Sequence, residues 1–286
     1  MIPFLDAPPR RVVVLNATGR YAARQVTMMR EGGTPIVAGI ALGAGGGVQD
    51  GVPLLDSLDE LDAPADAAVL YAPPGATADA VRDCAAAGIR TIVSASEYVP
   101  VHDALRAARA ARAAGCWLVG PNTLGLCVPG KVLLGSVSPA FCSPGSVAVL
   151  TRSGTLTLAV SRLLTAAGVG QSVVVHMGGD TVIGRNPHEY LAALADHGPT
   201  RAVLYVGEIG GDKEYALAEA ISGFAKPVVA MIAGRHAPEG RQMGHAGALI
   251  GEAREGAAAK LAVLREAGAQ VARTPYDAIE ILKGLI

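Results

Sequence analysis

Cysteine is scarce: Cys84, Cys116, Cys127 and Cys142 are the only four in 286 residues, and no two form a CxxC pair. Neither a zinc site nor a disulfide framework follows, and reduced thiols in apolar surroundings are expected. The six histidines are equally scattered, without HExxH or similar ligand spacing, so no metal is expected to be held by this chain alone. Charge of one sign is also missing. A net charge of −1, with 17% charged residues, leaves no basic face for phosphodiesters and excludes a nucleic-acid partner. Long apolar runs are absent: "SVAVL", "SVVVHM" and "KPVVAMIAG" fall far short of the roughly 20 residues of a membrane span and read as buried strands. No cationic start with an apolar core and cleavage site opens "MIPFLDAPPRRVVVLNA", which predicts a cytoplasmic protein.

What is present is an α/β alternation. Half of the chain is apolar, 51%, and its length predicts two compact domains. In the first half "RVVVLNA", "TPIVAGIA", "AAVLYAP", "RTIVSAS" and "CWLVGP" alternate with helical patterns such as "TADAVRDCAAAG" and "HDALRAARAARAAG". The second half repeats this with "SVAVLT", "QSVVVHMG", "RAVLYVGEIG", "KPVVAMIAG" and "AQVARTP". Continuous apolar strands separated by helices predict two doubly wound parallel sheets with ligand sites at the carboxyl ends of their strands. Between them, residues 120–145 are rich in Gly, Pro and Ser and lack a helical period, which places the boundary there as a long functional loop.

Six segments are weighed for function. Thr18-Gly19 carries the first strand into a helix without GxGxxG; this is either a phosphate-binding turn or an ordinary strand-to-helix connection. Gly43, Gly45, Gly46 and Gly47 form a glycine loop, open to close ligand approach or simply mobile. "GLCVPGK" at 125–131 imitates a nucleotide loop, but Val132 replaces the magnesium-binding hydroxyl and Pro129 removes an amide, so none is expected. "TRSGTLT" ends a strand and starts a helix, and there Ser153, the amide of Gly154 and Thr155 can hold a phosphoryl group at the positive helix end, or merely cap it. Glu208 ends another strand, and His245 lies in "GHAGALI" beyond a fourth. At converging strand ends Glu208 can fix the tautomer of His245 while the second ring nitrogen attacks phosphorus. The bland readings are a surface carboxylate and a structural histidine.

Taken in order, "GPN", "RSGTLT", "GEIGG", "KPVVAMIAG" and "GHAG" resemble the alpha subunit of the nucleotide-forming succinate–CoA ligase (succinyl-CoA synthetase) family. The resemblance implies a Rossmann-like CoA-binding domain over 1–122, a connecting loop over 123–145 and a flavodoxin-like domain over 146–286. It also implies a relay. A nucleoside triphosphate phosphorylates His245, the phosphoryl group passes to a small carboxylate, and coenzyme A displaces it as a thioester. A separate ATP-grasp beta subunit would carry Mg-ATP or Mg-GTP. Glu208 matches the histidine's partner, and Ser153, Gly154 and Thr155 fall on the phosphate-binding helix terminus.

The departures lie at the ligand sites. The usual CoA turn Thr-Gly-Ser-Gln-Gly reads Thr18-Gly19-Arg20-Tyr21-Ala22 here, and the usual lysine of the glycine loop is Ala44. Arg20 can return a charge from the neighbouring loop, as a planar fork for phosphate. Thr-Glu-Gly becomes Ser96-Glu97-Tyr98, and "GPNCPG" keeps Asn122 but has Thr123 for its cysteine. Leu158 stands where the succinate enzymes place a tyrosine near the acid, which shifts preference toward another carboxylate. Two alternatives stay open: transfer of the acyl phosphate to a non-CoA nucleophile such as an amine, and a noncatalytic CoA-binding subunit.

Overall fold

The computed structural model describes residues 2–238 and 240–286 and divides into two units, one of 2–137 with 182–185, the other of 138–181 with 186–286. The first holds α1 (Pro3–Asp6), β1 (Val12–Leu15), α2 (Arg20–Glu31), β2 (Ile36–Ile40), β3 (Val48–Gln49), β4 (Val52–Leu55), β5 (Ala67–Leu70), α3 (Thr77–Ala86), β6 (Thr91–Ser94), α4 (Val101–Ala113), β7 (Trp117–Val119), β8 (Gly125–Val128) and β9 (Val132–Gly135). The second holds β10 (Pro144–Thr151), α5 (Gly154–Ala166), β11 (Gln171–His176), α6 (Pro187–Leu194), β12 (Ala202–Glu208), α7 (Lys213–Ile221), β13 (Val228–Ala233), α8 (Ala257–Glu266), β14 (Gln270–Val271) and α9 (Pro275–Lys283).

The first sheet runs β3-β4-β2-β1-β5-β6-β7, parallel except for the antiparallel pair β3–β4. β1 lies between β2 and β5, so chain connections diverge from it and open a crevice at its carboxyl end. The second sheet's parallel strands run β14-β13-β12-β10-β11, with β10 between β11 and β12. That is the corresponding switch point. β5 and β12 are buried along their whole length, the condition for a sheet covered on both faces. Each fully buried Val or Leu there contributes about 1.5–3 kcal/mol. Helix ends follow local chemistry: Asn186 and Glu189 form a capping box on α6, and Thr274 caps α9 ahead of Pro275.

The two parallel sheets are as the alternation predicts, but several elements were not legible. β3 and β4 are short and lie among glycines. The segment expected as a connecting loop carries the hairpin β8–β9. Gly125 and Gly135 face each other across it, and a Cβ on Gly125 would meet the Leu134 carbonyl oxygen at 1.9 Å; two residues without side chains allow that approach. The imitation nucleotide loop is this hairpin's turn, closed by the Lys131 amide on the Val128 carbonyl at 2.9 Å.

Candidate active site

At the second sheet's switch point, Thr151 pairs with His176 on β11 and with Val206 on β12, and Glu208 closes β12. Arg152 follows β10, and its buried guanidinium is held by two carbonyls, Nε donating to Gly178 and Nη2 to Asp180, each at 2.7 Å. Nη2 also lies 3.1 Å from Glu208 Oε1, an ion pair without hydrogen-bond alignment. The other carboxylate oxygen, Oε2, is 2.7 Å from His245 Nδ1. The carboxylate can only accept, so Nδ1 carries a proton, and in the neutral ring Nε2 keeps its lone pair. Gly179 supports the ring: a Cβ there would meet three ring atoms at 3.2 Å.

Electrostatics follow from these contacts. The hydrogen bond to Glu208 raises the His245 pKa above its ordinary value, while partial burial and Arg152 oppose it. His176 is different: burial lowers it to about 4. It is therefore neutral, and its Nε2 donates to the Arg152 carbonyl at 3.1 Å. Ser153 is the N-cap of α5, its hydroxyl accepting from the Leu156 amide at 3.4 Å. The cap reading holds for Ser153, and it leaves the first-turn amides of Gly154 and Thr155 at an exposed helix end without intrahelical acceptors. Leu158 is half-buried on the same helix. No group of three or more His, Cys, Asp or Glu among the described residues is placed to hold a metal, and no described helix is long and apolar enough to cross a membrane.

The first unit gathers its own set. Gly19 is the N-cap of α2, whose first turn has no side-chain cap and no acidic residue, an arrangement suited to a phosphate. Thr18, Arg20 and Tyr21 are exposed beside it. Tyr21 meets Tyr71 edge-on at 5.7 Å, and its hydroxyl lies 3.1 Å from Ser136 Oγ. The Tyr71 pKa is raised by burial and by Tyr21. Ser96 is buried and donates to the Ala72 carbonyl at 2.7 Å, whereas Glu97 and Tyr98 are exposed. The Asn122 amide bonds the Ser96 carbonyl at 2.9 Å. The glycine loop around Ala44 is fastened rather than loose: Asp56 Oδ1 accepts from the amides of Gly43 at 2.6 Å and Gly45 at 3.0 Å.

Comparison with known proteins fits both units. A family model described as CoA binding domain matches residues 9–98, and one described as succinyl-CoA ligase like flavodoxin domain matches 144–285. A succinate–CoA ligase [ADP-forming] subunit alpha 2 of Archaeoglobus fulgidus is 42% identical over 278 residues, covering 96% of this chain and 97% of that protein. The chain belongs to the succinate–CoA ligase alpha-subunit family. An ADP-forming sulfoacetate-CoA ligase subunit, SauD, of Bilophila wadsworthia is 38% identical, with 96% of this chain and 97% of that one covered. An ATP citrate lyase of Methanothrix soehngenii, solved with citrate and coenzyme A, shares the fold with a TM-score of 0.86 at 23% identity; it matches 96% of this chain, which spans about half, 49%, of that larger protein.

Several polar residues of this ligase subunit received no role from the sequence. Arg152 stood in the motif without one, although a charge directly after a buried strand is itself a signal. Lys260 and Glu214 are buried, and both fall on the apolar stripes of their helices, with Ala257 and Leu264 in one case and Leu217, Ala218 and Ile221 in the other. Lys213 donates to the Thr181 carbonyl at 2.6 Å, and its pKa is lowered to about 8 by burial, then by Arg152. Gly178, Gly179 and Asp180 belong to a loop whose sequence resembles an ordinary turn.

Proposed function

We propose that the chain is the alpha subunit of an acid–CoA ligase in which His245 carries the phosphoryl group between a nucleoside triphosphate and a small carboxylic acid. The observation that carries this reading is the 2.7 Å contact from His245 Nδ1 to Glu208 Oε2, which leaves Nε2 as the nucleophile. Nε2 attacks the terminal phosphorus, the bond to the nucleotide's bridging oxygen breaks, and the ring becomes cationic, keeping its Nδ1 proton in the hydrogen bond to Glu208. The buried carboxylate meets that charge from a fixed position, a preorganised electrostatic stabilisation. Ser153, Gly154 and Thr155 receive the phosphoryl oxygens at the N-terminus of α5. The acid's carboxylate oxygen then takes the phosphoryl group, His245 regains its lone pair, and the acyl phosphate is opened by a thiol.

Coenzyme A supplies that thiol when bound. The uncapped start of α2 suits its pyrophosphate, with Thr18, Gly19, Arg20 and Tyr21 around it and Ser96, Glu97, Tyr98 and Asn122 at the neighbouring strand ends. Ala44 offers no cation, so Arg20 is the residue assigned to phosphate charge. Its guanidinium makes no hydrogen bond or ion pair among the described residues and is free to do so. The match of 9–98 to a CoA binding domain favours CoA over an amine as acceptor, and the His245–Glu208 pair favours a catalytic subunit over a scaffold. Mg-ATP or Mg-GTP is assigned to an ATP-grasp beta partner, and the site of action to the cytoplasm. The acid is small; with Leu158 in place of a hydroxyl donor, and with relatives named for both succinate and sulfoacetate, succinate has no privileged claim.

The test is labelling. With the beta partner and γ-labelled ATP, the wild-type chain takes up acid-labile, base-stable phosphate and releases it on addition of acid and CoA. His245→Ala takes up none while keeping its thermal melt. Undiminished labelling of His245→Ala overturns the assignment.

A further inference from the structure

Below the site lies a buried polar cluster at the carboxyl end of β12. The Lys260 side chain is fully buried, Glu214 nearly so, and Tyr205 is buried with them. A lysine ammonium has three donors, and all are used: on the Glu208 carbonyl at 2.9 Å, on the Gly210 carbonyl at 2.6 Å and on Glu214 Oε2 at 2.5 Å. Glu214 Oε1 accepts from the Tyr205 hydroxyl at 2.6 Å. Replacing a buried ion pair by apolar residues of similar size is often neutral or stabilising. A cluster retained at the end of β12 therefore calls for a reason in what it holds.

It holds the turn from which Glu208 projects. Two of the three donors of Lys260 fall on the carbonyls of Glu208 and Gly210, so the Glu208–Ile209 and Gly210–Gly211 peptide planes are tied to one point. The same turn supports the histidine loop: Gly210 has φ of +84°, and a Cβ on it would lie 2.0 Å from the Gly247 carbonyl oxygen. One ammonium thus fixes both the carboxylate and the support under the loop that carries the imidazole.

We propose that Lys260, held by Glu214 and Tyr205, is a positioning residue that sets the aim of the Glu208 carboxylate on His245. The proposal rests on reading His245 as the phosphoryl carrier. It accounts for why Glu208 keeps Oε2 on the ring when Arg152 competes for the same carboxylate from the other side. A misplacement of about 1 Å from outside the reacting shell can cost about a hundredfold in rate, so a clamp on the strand end has ample leverage.

Two variants test it. Lys260→Met combined with Glu214→Leu removes both charges together, leaving none unpaired in the core, and Tyr205→Phe loosens Glu214 alone. The full chain is titrated by NMR at the His245 Cε1 proton, and phosphorylation by ATP is followed with the beta partner present. The charged and titratable groups facing the ring are Glu208, Arg152, Asp180 and His176, none of them altered. For the double variant the melt is expected to fall, because the Glu208 and Gly210 carbonyls and the Tyr205 hydroxyl lose their partners, and phosphorylation of the folded fraction to fall about tenfold at unchanged nucleotide KM. The His245 titration and the acid limb of the rate move together to lower pH, as contact with Glu208 is lost. Tyr205→Phe moves both in the same direction by less. An unmoved titration in the folded variants, with or without a lowered melt, assigns the cluster to stability alone and overturns the proposal. Should the double variant not fold, Tyr205→Phe decides on the same criterion. If wild type takes no label from nucleotide, the phosphoryl reading fails by itself, while the titration still reports whether Lys260 aims Glu208.

Discussion

Replacing Glu208 with Gln keeps the shape of the side chain and removes the charge that faces both His245 and the buried Arg152. The side chain is 8% exposed and the Nδ1 to Oε2 distance is 2.7 Å. At an effective dielectric of about 20, unit charges at that separation attract by about 6 kcal/mol. That is an upper bound, because the ring is 31% exposed and solvent screens it. Hydrogen bonds to charged groups are worth about 1.5–3 kcal/mol in mutational series, which predicts phosphorylation slowed by about 10- to 150-fold. The pH profile gives an independent check on the sign. Glu208 raises the pKa of His245, so in wild type the neutral nucleophile appears only above a raised value. With Gln the remaining main influences, burial and Arg152, both lower it, and the acid limb moves to lower pH. The assay is single-turnover labelling of the alpha–beta complex between pH 5 and 8, corrected for the folded fraction. A rate within about twofold of wild type and an unmoved acid limb would refute the account of Glu208 as the charge that serves His245.

Further predictions follow from neighbouring groups. His176 has its pKa lowered by burial to about 4 from 6.5, so the unfolded chain binds the extra proton first. Stability conferred by the neutral ring is full above about pH 6.5 and falls with acidification toward pH 4, by about 2 kcal/mol between pH 7 and pH 5. His176→Gln is expected to flatten that slope in urea titrations at the two pH values, and an unchanged slope contradicts it. Gly179→Ala places a methyl group 3.2 Å from three atoms of the His245 ring; phosphorylation is expected to drop about tenfold with little change in melting temperature. Equal rates would show that the ring does not depend on Gly179 for its position.

Fold and site were legible to different depths. Strands such as β5, β10 and β12 declare themselves because burial on both faces demands an unbroken apolar run, whatever the rest of the chain does. The hairpin β8–β9 was hidden, since glycines that permit close pairing of backbones read as a loop. In the site, Glu208 stands out as a polar residue at the end of an apolar strand, and His245 as a histidine in the glycine-rich loop beyond another. Lys260 and Glu214 carried a weaker signal, as opposite charges on the buried stripes of α7 and α8, where apolar periodicity masks them.

The sequence by itself determined the two α/β units, the strand ends at which ligands gather and the residue types available for phosphoryl chemistry, because these depend on local pattern and composition. Tertiary structure decided which of those residues meet. Glu208 and His245 are 37 positions apart and Lys260 lies 52 beyond Glu208. Only the strand order, with β12 beside β10 at the switch point, brings the carboxylate between a guanidinium and an imidazole. Hydrogen bonding acts over about 3 Å, a distance that spacing along a chain does not specify and that packing does.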